Sequence, residues 1–381
     1  MTVFEKTDRF LRNLYETAFY FAVMAVKENF RNYVGRAGTV GAPKPSVVIL
    51  GNGPSLAEDL PRLIARGEHT AKDVMAVNYF ALDERFGTVR PAYYVLSDPM
   101  FFRDSVCRDR VAELYRTLAE KVTWPMNLYV QYYNPERFDY RAALPNPNIR
   151  IVRFHTQVYR GFRGVEFWLY RHGLGSANFG TVVQVCEYVA LLLGYKTLEL
   201  YGVDHTLLDG LSVDDENRLC RADRHYYDDA PAVPKPIFQK VPHRPYTMAV
   251  YLAEVAELFR GHEALRDYAR SLGARIINRT GGSMIDAYER ERKEKKGGSE
   301  NSQGRKTHFS AIRLCFQAAA RGGLLWSVRN SRLPQGGVAA CRFASGKSKI
   351  FRVCEFAESA FIYPGRFRLA AMISAMAKSS G

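Results

Sequence analysis

Residues 46–56, SVVILGNGPSL, constrain the fold of this chain more than any other stretch. Val47, Val48, Ile49 and Leu50 form an unbroken apolar run, the pattern of a strand covered on both faces. Gly51 and Gly53, with Asn52 between them, let the backbone turn sharply and approach a ligand closely. Pro54 lacks an N–H and suits the first turn of a helix, and Ser55 stands where it can cap that helix or touch a phosphate. A strand that turns this tightly into a helix points to an α/β protein. Free N–H groups and the positive helix end would then face a ligand, ideally an anion, above the strand. The turn has neither the Gly-Lys-Thr of a Walker loop nor the complete G-x-G-x-x-G fingerprint. Taken alone it therefore fits any tight strand-to-helix connection equally well.

The alternation continues downstream. Apolar runs predict strands at 47–50, 74–78, 93–97, 127–131, 149–154, 197–201 and 275–278. Helical periodicity predicts helices at 56–65, 105–121, 177–193 and 246–271. Strands separated by helices mean βαβ units, hence a Rossmann-like α/β domain over 45–290, with a mostly parallel sheet and helices on both faces. Ligands of such sheets sit outside the carboxyl ends of the strands.

Ahead of that domain, residues 1–34 read as an amphipathic helix spanning 7–33. Phe10, Leu14, Phe21 and Met24 recur at helical spacing beside Arg9, Arg12, Lys27 and Arg31. Such a helix either packs on the domain or touches a membrane peripherally. Residues 35–45, GRAGTVGAPKP, read as a linker by their glycine and proline content.

The formal charge of +15 invites a nucleic-acid reading, but its distribution argues against one. Residues 291–381 carry 17 basic and five acidic side chains, while residues 1–290 carry 37 and 34. The basic character thus belongs to the tail, and no specific nucleic-acid partner is expected of the domain. From 301 to 354 there is no acidic residue, and Arg, Ala, Gly and Ser dominate, so 291–381 is expected to be a poorly ordered basic extension. Six cysteines at 107, 186, 220, 315, 341 and 354 form no C-x-x-C pair. They read as isolated thiols of a reducing compartment. With no signal peptide apparent, the expected location is cytoplasmic, with the amphipathic helix at the inner membrane as its peripheral variant.

Candidate site residues cluster where strands end. Asn78 both donates and accepts, which suits a base edge or ribose hydroxyl. Asp98 precedes Pro99, so its backbone is extended and its carboxylate can point into a crevice. Either residue also fits an ordinary turn. In 175–180, GSANFG, Ser176 or Asn178 can cap the following helix and offer a second phosphate seat. The richest cluster is 201–229, with seven Asp, one Glu and two His. Asp204 and His205 leave the strand directly, and His225 sits between Asp223 and Asp228. So many acids repel unless a cation relieves them, which is consistent with weak Mg²⁺ binding through Asp204 and Asp223 plus substrate phosphates. Carboxylates beside His225 would orient its ring as a general base needs, with Asp204 and His205 shaping the same pocket.

In this order the GNGPSL turn, DVMAVNYFAL (73–82), AYYVLSDPMFF (92–102), the run GSANFG to GYKTLELYGVDH (175–205) and DRHYYDD (223–229) resemble a known domain family. It is that of 6-hydroxymethylpterin diphosphokinase, the MptE-like family, and its relative, the bacterial sialyltransferases of glycosyltransferase family 42. The resemblance covers about residues 45–290. It implies a nucleotide seated over Gly51, Asn52, Gly53, Pro54, Ser55, Asn78 and Asp98, with Ser176 and Asn178 opposite. His225 aligns with the sialyltransferase histidine that deprotonates the acceptor hydroxyl. The tyrosines that hold the leaving phosphate in those enzymes have no counterpart between Asp204 and Arg224. Three readings follow. One is a glycosyltransferase that uses a nucleotide-activated sugar such as a CMP-sugar for a surface glycan. The second is an ATP- and Mg²⁺-dependent diphosphokinase, and the third a non-catalytic nucleotide-binding protein.

Overall fold

The computed structural model describes residues 2–102, 108–132, 138–176, 179–222, 226, 233–239, 244–290, 339–342 and 348–351. The chain divides into two units, 1–294 and 295–381. In the first, helices α1 (Val3–Lys27) and α2 (Tyr33–Ala37) precede strand β1 (Val47–Leu50). Then come α3 (Leu56–Ala65), α4 (Glu68–Ala71), β2 (Asp73–Val77), α5 (Phe86–Val89), β3 (Tyr93–Leu96), α6 (Arg108–Lys121) and β4 (Met126–Gln131). They are followed by α7 (Tyr140–Ala143), β5 (Ile149–Phe154), α8 (Arg163–Arg171), α9 (Val182–Leu192) and β6 (Thr197–Tyr201). Three short strands, β7 (Leu211–Val213), β8 (Leu219–Arg221) and β9 (Lys235–Pro236), lead to α10 (Met248–Ser271) and β10 (Arg275–Asn278). In the second unit β11 (Ala339–Arg342) pairs antiparallel with β12 (Ser348–Phe351). The expected low order of the rest of that tail falls outside the described residues.

The central sheet has the order β10-β6-β1-β2-β3-β4-β5, and every neighbouring pair is parallel. Alternate side chains feed two cores. Val47 and Ile49 join Met75, Val77, Val95 and Leu200 beneath α9 and α10, whereas Val48 and Leu50 join Ala76, Leu96 and Leu128 beneath α3 and α6. Helices thus cover both faces, as the sequence predicts. Burying each such aliphatic side chain contributes about 1.5–3 kcal/mol. The β7-β8-β9 sheet stands apart from the main one and carries the acidic segment.

The N-terminal region differs from the single helix expected over 7–33. Helix α1 opens on a capping box between Thr2 and Glu5 and ends at Lys27, and Asn32 starts α2 by accepting the Gly35 N–H at 2.7 Å. Tyr20 and Met24 pack on Tyr159, Leu169 and Leu174, and His155 at the base of this contact bonds Glu28 and the Arg31 carbonyl. The amino half of α1 is exposed, with Phe4 at 81% and Phe10 at 55%. Among the described residues no helix is long and apolar enough to cross a membrane. The predicted linker is tied down: the Val40 N–H donates to Tyr93 OH and the Lys44 N–H to Asp73 Oδ2.

Helix α9 starts five residues later than the sequence reading placed it. Thr181 accepts the Val183 N–H, and Gln184 reaches back to accept the Gly180 N–H at 2.9 Å. Thr181 is an ordinary N-cap whose preference is present in the sequence, and Gln184 adds a bond to the residue before it.

Candidate functional site at the strand carboxyl ends

From β1 the chain builds the sheet outward through β2 to β5, then returns to lay β6 on the other side of β1. The carboxyl ends of β1 and β6 therefore flank the topological switch point, where connections diverge and leave a crevice.

The glycine turn folds against the β6 loop. The Gly51 N–H donates to the Tyr201 carbonyl at 2.8 Å, and the Gly53 N–H to the Gly202 carbonyl at 2.7 Å. A Cβ on Gly51 would meet the Gly202 carbonyl, and one on Gly53 would run into the Asp204 carboxylate. These glycines are thus required by the approach of two loops. Their amides are spent on the protein, which corrects the expectation that they lie open to a phosphate. Ser55 does not cap α3 with its side chain; its hydroxyl donates to Asp204 Oδ2 at 2.8 Å. A carboxylate of the chain itself therefore sits beside the positive end of α3. Burial pushes the Asp204 carboxyl up, while the hydroxyl and amide of Ser55 favour its charged form.

The next two loops hold unpaired acceptors. Asn52 Oδ1, after β1, and Asn78 Oδ1, after β2, are buried without a hydrogen-bond partner. Adjacent strands run about 4.8 Å apart, so both amides belong to one rim. Asn78 is held at φ +50°, the left-handed region, with its carbonyl accepting from Tyr94 OH at 2.7 Å. His205, after β6, is also left-handed at φ +52°. Non-glycine residues in that region are uncommon, and such strain gathers at ligand sites. The Tyr226 N–H donates to the Asn52 carbonyl at 3.1 Å, and its ring lies 6.4 Å from that of Phe80. His225, Asp223 and Asn178 lie outside the described residues.

Two expected members are elsewhere. Asp98 follows β3, two strands from β1, and accepts the Met100 N–H at 3.2 Å as the cap of a short turn. Ser176 is fully buried, its N–H on the Gln157 carbonyl and its hydroxyl on that of Thr156, so it braces the segment after β5 and offers no second phosphate seat. The helix start at Val182 is the reason: residues 175–180 precede the cap rather than form it.

The acidic cluster also resolves differently. Asp214 and Glu216 both bind Arg218, at 2.8 and 2.6 Å, across the β7–β8 turn. Their repulsion is relieved by a guanidinium, and Arg218 holds the Asp214 carboxyl below its ordinary value through hydrogen bonds from its backbone and side chain. Among the described residues no three His, Cys, Asp or Glu side chains converge as a metal would require. Asp223, the second carboxylate of the expected Mg²⁺ pair with Asp204, lies outside the described residues.

Behind His205 lies a network absent from the sequence reading. His205 Nε2 is 3.1 Å from His262 Nε2 on α10, and His262 Nδ1 is 2.9 Å from Tyr288 OH. Tyr288 OH donates to Glu187 Oε2 on α9 at 2.5 Å. His262 and Glu187 are fully buried, and Glu187 Oε1 has no partner. Burial, then the nearby His262, pushes the His205 imidazole down to about 3. Burial and Glu187 push the Tyr288 phenol far up.

A cleft of about 570 Å³ elsewhere runs along the β5 edge, lined by Tyr140, Arg36, Arg141, Arg150 and Arg153. Charged side chains on an open strand edge are the usual guard against edge-to-edge pairing.

No protein-family model and no curated protein sequence matches the chain. Among solved structures, the MAf glycosyltransferase from Magnetospirillum magneticum AMB-1 is similar over 67% of this chain at 15% identity, with a TM-score of 0.37. The match covers 35% of that protein, so this chain spans about a third of its length. At that score the likeness adds nothing to the topology described above.

Proposed function

We propose that the chain is a nucleotide-dependent transferase, read most simply as a glycosyltransferase that moves a sugar from a nucleotide-activated donor to a glycan or small-molecule acceptor. The observation that carries this reading is the pair of buried, unpaired amide oxygens, Asn52 Oδ1 and Asn78 Oδ1, on the rim at the switch point. Orphaned acceptors of this kind cost about 1–3 kcal/mol each unless a donor arrives. The amino edge of a base and the hydroxyls of a ribose are such donors.

His225 is the proposed base for the acceptor hydroxyl. It immediately precedes Tyr226, whose amide is bonded to the glycine turn. The carboxylate already seated at α3 argues against a naked phosphate at that spot, so the donor's phosphates lie further out over the rim. The diphosphokinase reading asks the protein for a Mg²⁺ seat. Asp204 is engaged by Ser55, and Asp214 and Glu216 by Arg218, which favours the sugar donor over ATP. Isothermal titration of the full chain with CMP, CDP and ATP, with and without Mg²⁺, tests this. Metal-independent binding of the cytidine nucleotides is expected; binding of ATP alone, only with Mg²⁺, reverses the order of the two readings. Absence of all binding sinks both.

A further inference from the structure

With Glu187 ionised and both imidazoles neutral, the four side chains behind the crevice admit one consistent assignment of hydrogens. Tyr288 must donate to Glu187 Oε2, so its oxygen accepts from His262, which then carries its proton on Nδ1. His262 Nε2 is left with a lone pair and accepts from His205 Nε2–H. His205 Nδ1 is then unprotonated, and no described residue hydrogen-bonds it.

We infer that Glu187, Tyr288, His262 and His205 form a proton relay that presents His205 Nδ1 at the crevice as a base and stores the accepted proton on Glu187. The step balances without any change of oxidation state. A crevice O–H bond breaks as the Nδ1–H bond of His205 forms. The Nε2 proton of His205 passes to Nε2 of His262, whose Nδ1 proton passes to the Tyr288 oxygen. The Tyr288 hydroxyl proton passes to Glu187. One proton enters at His205 and one arrives at Glu187.

Electrostatics favours this route. An imidazolium at His205 is opposed by burial and by His262, whereas a proton resting on Glu187 leaves no buried charge. Tyr288 never becomes a phenolate, because it receives a proton as it gives one. The groups that face His205 are His262 and the apolar Phe259 from α10, with Glu187 of α9 and Tyr288 behind them, while Asp204 of its own loop is bonded to Ser55. His205 is the proton-accepting residue; His262, Tyr288 and Glu187 position it. The use of the proton in group transfer rests on the transferase reading above, while the wiring does not.

The full chain labelled with ¹⁵N-histidine tests the wiring by long-range ¹H–¹⁵N spectra from pH 5.5 to 8. Expected are His262 in the Nδ1–H form and, throughout, a neutral His205 in the Nε2–H form. Tyr288→Phe removes the acceptor of His262, so its Nδ1–H signal is lost and the two histidines no longer share one arrangement. Glu187→Gln keeps a carbonyl acceptor for Tyr288 and should retain both tautomers; should Tyr288→Phe fail to fold, this variant carries the test alone. The relay is overturned if His262 carries its proton on Nε2, if His205 titrates near pH 6.5, or if Glu187→Gln scrambles the tautomers. Titrating the same samples with CMP separates the two ideas. Intact tautomers without nucleotide binding remove the transfer role, and binding with scrambled tautomers removes the relay.

Discussion

At the amino ends of the strands, Asp73 accepts from the Lys44 amide and from Tyr195 OH, Tyr195 shares a hydrogen bond with Tyr93 OH, and Tyr93 accepts the Val40 amide. Each of these groups finds a partner, and the predicted linker is what supplies two of them. At the carboxyl ends, Asn52 after β1 and Asn78 after β2 keep buried oxygens with no partner, and Asn78 and His205, after β2 and β6, sit at positive φ. A folded chain satisfies buried polar groups wherever folding alone decides. The contrast is the ground for proposing ligand chemistry at the carboxyl rim; on the amino side His69 Nδ1 is also without a partner and Arg90 is also left-handed.

The strongest way to break this division is through rate. His225→Ala should lower turnover about 10²–10⁴-fold, the range of a lost general base, with nucleotide affinity and melting temperature little changed. Steady-state transfer assays with the nucleotide found by titration check this. Turnover within tenfold of wild type would move the base role away from His225. Next in size, Asp73→Ala should cost about 1–3 kcal/mol in denaturant unfolding, because it removes the acceptor of the part-buried Lys44 amide and leaves the buried Tyr195 hydroxyl with Tyr93 alone. Nucleotide affinity in the folded fraction should hold. A loss below about 1 kcal/mol would mean that the amino rim carries no special share of the stability.

A smaller effect separates ligand contact from backbone strain at one residue. Asn78→Gly removes the unpaired amide but relieves the left-handed φ. Stability should stay within about 1 kcal/mol while nucleotide affinity falls about tenfold, the value of one hydrogen bond. Unfolding curves and titration on the same protein decide it, and unchanged affinity would leave the orphaned oxygen without a ligand role.

Much of the carboxyl rim was legible because it is local. Strands 47–50 and 197–201 announce themselves as apolar runs, and the residues that follow them must lie at strand ends. Pairings across distance were not legible. Nothing in the sequence says that Gly53 needs its missing Cβ because Asp204, 151 residues later, packs on it. Glu187 hides within VVQVCEYVALL, a helix that reads as plain core, and meets His262 and Tyr288 only through the sheet order. The acids at 214–216 added to the apparent crowding of the acidic cluster because their partner, Arg218, is set against them by a hairpin that the sequence does not announce.

The smallest effect has the most telling sign. Asp204 is a carboxyl whose burial raises its pKa against the bonds from Ser55, so in the folded state it holds its proton more tightly than in the unfolded chain. Its contribution is then fully present below the unfolded value near 3.8 and is lost as pH rises through the raised one. At neutral pH the ionised group is a net burden on the fold. Asp204→Asn keeps an oxygen for the Ser55 hydroxyl and removes the charge. Its melting temperature should therefore equal or slightly exceed that of wild type at pH 7, with the difference vanishing below about pH 4. Asp73→Asn at the amino rim should not stabilise at any pH, since its carboxylate has donors from two directions. Melting curves of both variants between pH 3.5 and 8 decide it. Destabilisation by Asp204→Asn at pH 7 would place Asp204 with the structural groups and move the boundary between the two rims. Stabilisation paired with lost turnover would mark a residue kept for chemistry at the expense of the fold.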